Sequence, residues 1–180
     1  MKQEILIAGF GGQGVLSMGK ILAYSGVTQG QEVSWIPSYG PEMRGGTANV
    51  TVILSDTKIN SPVVHAFDTL IALNQQSLDK FESQVKPGGI LLYDPLGIMT
   101  PPSRKDIEVY TIDATMEAAR MGNVKVFNMI VLGAYLKLCP VVTLENVVEG
   151  LKKSLPARAH GMIPANQQAI MRGMELVRKA

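Results

Sequence analysis

The chain of 180 residues contains a single cysteine, Cys139. One thiol closes no internal disulfide, completes no four-cysteine zinc site and holds no iron–sulfur cluster. Any redox chemistry this chain serves is expected to run on centres held elsewhere. Charge is also scarce: Asp, Glu, Lys and Arg make up 18% of the residues, where about 25% is usual. Lys plus Arg number 17 and Asp plus Glu 15, and the net charge of +2 is scattered along the chain. That pattern argues against a nucleic-acid footprint and against a patch for an anionic membrane. Long apolar runs are missing too. The most apolar stretch, Val126 to Leu136, stops at Lys137 and is too short to span a bilayer. At the N-terminus, Glu4 stands where a signal peptide needs its apolar run. The cytoplasm is the expected compartment, so the sequon Asn49-Val50-Thr51 is expected to carry no glycan. His65 and His160 have no carboxylate or second histidine at metal-ligand spacing, so no metal site is expected.

What is abundant is glycine, with 18 residues, and methionine, with 10. A chain poor in charge and rich in Met hides a large interior or keeps part of its surface for a partner. The length suits one domain over residues 1–180, since a typical domain runs ~100–200 residues. Such a chain buries roughly 70% of its unfolded surface. Ile5 to Ala8 is a short apolar run ending in glycines, the pattern of a strand buried on both faces. A helix over Val15 to Ser25 and a strand over Glu32 to Ile36, stopped by Pro37, complete a βαβ crossover of the right-handed kind. Further strands are expected at Thr47–Leu54, Phe67–Leu73, Ile90–Tyr93 and Ile107–Ile112, the last of the set. Helices are expected at Gln75–Val85, Ala114–Met121, Lys125–Cys139, Leu144–Ser154 and Ala165–Arg178. Lys86 to Gly89 reads as a turn, and Pro95 to Arg104 as linker-like. The fold class is α/β: a three-layer α/β/α, Rossmann-like single domain on a mostly parallel sheet. The helix from Lys125 is apolar on nearly every side, so it is central in its own domain or buried by another chain.

Gly9-Phe10-Gly11-Gly12-Gln13-Gly14 matches G-x-G-x-x-G between a strand and a helix. Glycines permit the sharp turn, admit a ligand close to the backbone and leave helix N–H groups facing an anion. Gly9, Gly11, Gly12, Gln13 and Gly14 are therefore candidates for anion or coenzyme contact, or for contact with another subunit. A nicotinamide site also needs an acid at the end of the second strand to bind ribose. Here that strand ends in Trp35-Ile36-Pro37-Ser38, and Glu32 lies at its start. A P-loop is excluded, because Val15-Leu16-Ser17 stands where Gly-Lys-Ser/Thr is required. A tight turn with no ligand fits the same glycines.

The second unusual segment, Ser38 to Gly46, is rich in glycine and proline and is expected to be irregular. In an open parallel α/β sheet, loops beyond the carboxyl ends of the strands form the ligand or partner face. Both loops are expected there, side by side. Ser38, Tyr39, Gly40, Pro41, Glu42 and Arg44 are the candidate substrate or interface residues. A solvated turn with a Glu–Arg pair worth less than about 1 kcal/mol is the plainer possibility.

Taken together, Gly-Phe-Gly-Gly-Gln-Gly-Val from Gly9 and Ser-Tyr-Gly-Pro-Glu-Met-Arg-Gly-Gly-Thr-Ala from Ser38 resemble the gamma subunit of 2-oxoacid:ferredoxin (acceptor) oxidoreductases. The resemblance continues through Val50–Ser55, Asp68–Asn74, Pro87–Tyr93 and Asn128–Gly133, and weakens after Ser154. It implies part of an enzyme with no complete active site on this chain. The assembled enzyme would convert a 2-oxoacid and coenzyme A to an acyl-CoA and CO₂ while reducing ferredoxin or flavodoxin. Thiamine diphosphate, Mg²⁺ and [4Fe–4S] clusters would lie on alpha, beta and delta-type (ferredoxin-like) chains. This chain lacks Gly-Asp-Gly with a downstream Asn for Mg²⁺-diphosphate. The resemblance places it as a wall or cover near the coenzyme A entry. It favours 2-oxoglutarate as substrate, with pyruvate and branched-chain oxoacids close behind. Two other readings stay open: a free-standing nucleotide-binding Rossmann-like protein, and a non-catalytic assembly module. Expressed alone, the chain is expected to self-associate through the apolar helix or the loop face.

Of the remaining residues, Cys139 before Pro140 reads as an inert buried thiol. Asp94 reads as a turn acid, and Asn128 on its apolar helix needs a hydrogen-bond partner if buried.

Overall fold

The computed structural model describes residues 1–39 and 46–180. Seven strands form one sheet: β1 Lys2–Phe10, β2 Glu32–Tyr39, β3 Thr47–Ser55, β4 Phe67–Ala72, β5 Val85–Tyr93, β6 Glu108–Thr111 and β7 Arg178–Lys179. Six helices accompany them: α1 Val15–Thr28, α2 Gln75–Phe81, α3 Ala114–Arg120, α4 Phe127–Leu138, α5 Leu144–Ser154 and α6 Ile163–Leu176. The sheet order is β2-β3-β1-β4-β5-β6-β7. β1, β4, β5 and β6 pair in parallel, in register from Ala8↔Ala72 through Ala72↔Tyr93 to Tyr93↔Thr111. β3 lies antiparallel to both β1 and β2, so β2 points the same way as β1. The carboxyl ends of β1, β2, β4, β5 and β6 therefore share one end of the sheet.

The central run does what its sequence asks. Ile5 to Ala8 is fully buried, with Ile5 and Ile7 in the larger apolar core and Leu6 in the smaller one. Each such side chain contributes about 1.5–3 kcal/mol by leaving water. The larger core packs α1, α3, α4, α5 and α6 on one face. The other face is covered more thinly, by α2 and the segment that holds Ile98 and Ile107. The α/β class and the mostly parallel sheet thus stand, with unequal helical layers.

Several expectations need correction. β1 and β2 are not neighbours, because β3 is inserted between them, and strand pattern carries no information on neighbour order. Pro37 does not stop β2: the strand runs on to Tyr39, with Pro37 opposite Val50. It is an edge strand, where a missing N–H has no ladder to break. Ser38 and Tyr39 are accordingly strand residues rather than loop. α2 ends at Phe81, a 3₁₀ turn follows at Glu82–Gln84, and Val85 already belongs to β5. Lys86 to Gly89 bulges out of β5 where the register with β4 shifts between Phe67 and Thr69. Gly88 takes φ 74° there. Pro95 to Arg104 is no free linker. The Gln75 side-chain carbonyl accepts from the N–H groups of Met99 and Thr100, and Glu82 accepts from Ser103 and Arg104. The last strand is β7, two residues pairing antiparallel with β6.

The apolar helix α4 is buried by its own chain. α6 crosses it at Gly133 and Gly173, where the backbones touch. A methyl built on Gly133 would sit 1.9 Å from the Ile170 carbonyl oxygen, and one on Gly173 1.9 Å from that of Ile130. Self-association through this helix is therefore removed from consideration. No helix among the described residues is long and apolar enough to cross a membrane.

Candidate functional site

The glycine loop leaves β1 at its carboxyl end and enters α1 through Gly14, whose left-handed φ of 75° suits glycine. Gly12, at φ 97°, faces open space. Gln13 is the brace of the loop. Its side-chain carbonyl accepts from the Phe10 N–H at 2.7 Å, and its amide donates to the Leu73 carbonyl on the neighbouring strand at 3.2 Å. Gly9 makes room for it, since a methyl there would lie 2.5 Å from the Gln13 oxygen. The Gln13 side chain is thus tied to the loop backbone and to the neighbouring strand.

Asn128, on the first turn of α4, finds the partner its burial requires: its amide donates to the Gly14 carbonyl at 3.3 Å. Any side chain at Gly14 would collide with it. The second loop meets the first, because the Gly11 N–H donates to the Gly46 carbonyl at 2.9 Å. Tyr39 and Gly11 line one cavity of about 280 Å³, which α1 closes with Val15, Leu16 and Ser17. Gly40, Pro41, Glu42 and Arg44 lie outside the described residues.

A larger cavity of about 360 Å³ opens on the other side of the glycine loop. Gly12 and Gly14 form one wall, Thr115 and Ala118 of α3 a second, and Val124, Lys125, Phe127 and Asn128 a third. The N-terminal ends of α1, α3 and α4 therefore converge on one space. Free N–H groups and the positive ends of helix dipoles favour an anion in such a place. α1 has no side-chain cap and no acid in its first turn. Lys125 adds an exposed ammonium. Among the described residues no carboxylate or imidazole lines either cavity. Sequence reasoning missed Thr115 and Lys125, which no spacing ties to a glycine loop more than a hundred residues away.

Buried carboxylates hold the site's frame. Asp94 accepts from the Leu96 N–H at 3.0 Å and from both the N–H and hydroxyl of Thr115 at 2.8 and 2.6 Å. It is a turn acid that also ties α3 to the end of β5. Glu117 sits beside the cavity wall and meets Arg172 of α6 at 2.9 Å and Arg120 at 3.4 Å. The Arg172 guanidinium, against the opposing effect of burial and with help from Arg120, holds its carboxyl below the usual value.

The other candidates lie away from this end. Cys139 ends α4 at the amino end of the sheet, and burial pushes its thiol up, so it stays protonated. His160 places Nε2 3.0 Å from the carbonyls of Lys152 and Leu155, at the end of α5. His65 is exposed. No cluster of three or more metal-ligating side chains occurs among the described residues.

Fold and site together define a class: an α/β chain whose glycine loop and helix ends meet around a cavity at the carboxyl ends of its strands. The chain belongs to the pyruvate ferredoxin/flavodoxin oxidoreductase family, whose pattern matches residues 4–176. It is 32% identical to the 2-oxoglutarate synthase subunit KorC of Methanocaldococcus jannaschii, over 99% of this chain and 96% of that one. It is 42% identical to the ketoisovalerate oxidoreductase subunit VorA of Methanothermobacter thermautotrophicus, over 75% of this chain. There the chain matches only 28% of the relative's length. Among solved structures, it resembles the gamma subunit of a keto/oxoacid ferredoxin oxidoreductase from Geobacter sulfurreducens, with TM-score 0.84 and 29% identity over 98% of this chain and 96% of that one.

Proposed function

We propose that this single-domain chain is the non-catalytic gamma subunit of a thiamine-diphosphate-dependent 2-oxoacid oxidoreductase. The enzyme would take a 2-oxoacid, coenzyme A and an oxidised acceptor to an acyl-CoA, CO₂ and the reduced acceptor. Thiamine diphosphate, bound with Mg²⁺ on partner chains, supplies the decarboxylation chemistry. Partner chains would hold the [4Fe–4S] clusters that pass electrons to ferredoxin or flavodoxin, since the one cysteine here cannot ligate such a cluster.

The observation that carries this reading is the glycine-loop end, which offers the N-terminal ends of α1 and α4 and Lys125 and, among the described residues, no carboxylate or imidazole. Its residues would hold and orient an anionic part of coenzyme A or the oxoacid, with Phe127 and Val124 excluding water from it. Arg44, which lies outside the described residues, is the second loop's candidate for the same anion. 2-Oxoglutarate is the favoured substrate, because the KorC relative matches over 99% of this chain and 96% of its own. A branched-chain oxoacid is the second reading, favoured by the higher identity to VorA over a shorter span.

Purification from the native source tests the assembly: co-elution with thiamine- and cluster-binding chains is expected, and a stable monomer that binds NAD or FAD would falsify it. Acyl-CoA formation with each oxoacid then ranks the substrates. Replacing Arg44 by Ala in the complex is expected to raise KM for coenzyme A or the oxoacid several-fold. Unchanged KM values for both would remove Arg44 from the site.

A further inference from the structure

We infer that a third, smaller cavity, between the amino ends of α1, α4 and α6, binds a short aliphatic carboxylate. The site lies wholly within this chain and goes beyond the proposed function, whose failure would leave it standing.

The cavity measures about 120 Å³. Four polar side chains reach it from separate elements: Ser17 of α1, Lys125 of the 3₁₀ turn before α4, Asn128 of α4 and Asn166 of α6. Asn166 is 8% exposed, and among the described residues its amide has no hydrogen-bond partner. Asparagine is a weak helix former, and an unpaired amide is costly to bury. Such a group facing an open cavity calls for a partner inside it. The Ser17 hydroxyl is equally free among the described residues. Asn128 spends its amide N–H on Gly14, which leaves its carbonyl oxygen. Neither Asn166 nor Leu151, which lines the same space, belongs to the two cavities at the glycine loop.

The occupant's chemistry follows from the walls. Lys125 supplies the one charge, and among the described residues no carboxylate or imidazole lines the cavity. The amino ends of three helices add the positive ends of their dipoles. An oxyanion therefore suits the polar side. The rest of the wall is apolar, with Ile21 and Leu151 in it. Phosphate would press oxygens onto these side chains, whereas an aliphatic tail fills the space without that cost. At roughly 30 Å³ per liquid water, the cavity has room for about four waters or a carboxylate of about five heavy atoms.

The test is a titration of the full chain with propionate, followed by amide NMR. The side-chain amides of Asn128 and Asn166 should shift together and saturate. Propionamide has the shape without the charge and inorganic phosphate the charge without the tail. Each should bind about tenfold more weakly than propionate. Asn166→Ala and, separately, Lys125→Met should each weaken propionate about tenfold. Thr115→Val, which alters only the larger glycine-loop cavity, should leave it unchanged. Lys125 is exposed, so Lys125→Met keeps its melting temperature and serves even where Asn166→Ala unfolds the chain. The absence of a saturating shift, or equal affinity for propionate in Lys125→Met and the wild type, overturns the site. Propionamide or phosphate binding as tightly as propionate overturns the ligand class. Shifts at Thr115 that leave Asn166 unmoved place the anion at the glycine loop and overturn the site as well.

Discussion

At the amino end of the strands the Lys86 ammonium lies 2.7 Å from both Glu4 and Asp68, and Lys2 joins Glu4 from the side. The N-terminal ammonium meets Asp56 nearby. At the carboxyl end the polar work is done by backbone N–H groups, Gln13, Asn128 and the buried Asp94, and Leu96, Met99, Met116 and Val124 stand exposed, as does Lys125. The difference has a physical reason. Ion pairs left in water cost little and contribute little, whereas burying them under a partner carries a desolvation penalty of several kcal/mol per ion. A face meant to be covered is better furnished with fixed dipoles and apolar side chains. Three of the ten methionines, Met99, Met116 and Met162, stand exposed at the carboxyl end.

The largest expected effect concerns the frame common to both ends. Gly133→Ala drives a methyl into the Ile170 backbone and is expected to cost about 3 kcal/mol in denaturant unfolding. Gly161→Ala, with nothing within 4 Å, should change stability by no more than about 0.5 kcal/mol. Equal effects would mean that the α4–α6 crossing is misread. Next comes the brace: Gln13→Ala removes two hydrogen bonds, for about 1–2 kcal/mol. In the complex it should also raise KM for coenzyme A, since the loop loses its shape. At the opposite end, Lys86→Met leaves the half-buried Glu4 and Asp68 without their shared ammonium and should cost about 1–2 kcal/mol while leaving acyl-CoA formation untouched. An activity loss there equal to that of Gln13→Ala would erase the contrast between the two ends.

The smallest effect is one of pH. The carboxyl of Glu117 is held below its ordinary value of 4.5 by Arg172. A lowered carboxylate contributes stability that is complete above the unfolded pKa and is lost as pH falls through the lower folded one. Unfolding free energy should therefore decline below about pH 4.5, and Glu117→Gln should flatten part of that decline while lowering stability at pH 7. An unchanged slope would show that the ion pair is not coupled to folding.

Much of this was legible beforehand. Leu144–Ser154 begins and ends where its pattern says, because Thr143 caps it through Asn146 and the apolar positions recur on one face. The glycine loop and its position after a strand were equally plain. The inserted β3 was not, since Thr47 to Ser55 reads the same beside β1 as at an edge. Nor did the composition of α4 say what covers it. The answer lies in Gly133 and Gly173, small residues whose value appears only when two helices cross. Leu96 and Met99 sit in a proline-rich stretch that looks like linker. Only the hydrogen bonds to Gln75 and Glu82 reveal a fixed segment. Thr115 and Lys125 reach the site through helix ends, a convergence set by tertiary packing.

Methionine oxidation gives the most direct test that the glycine-loop end is the covered face. Dilute peroxide applied to the free chain and to the assembled complex, with oxidation read by peptide mass, compares Met99, Met116 and Met162 with Met1 and Met171. All five are exposed in the chain itself. Assembly should slow oxidation of the first three by tenfold or more and leave Met1 and Met171 unchanged. Oxidation of Met99 at the same rate in both states, or protection of Met1 in its place, would contradict it.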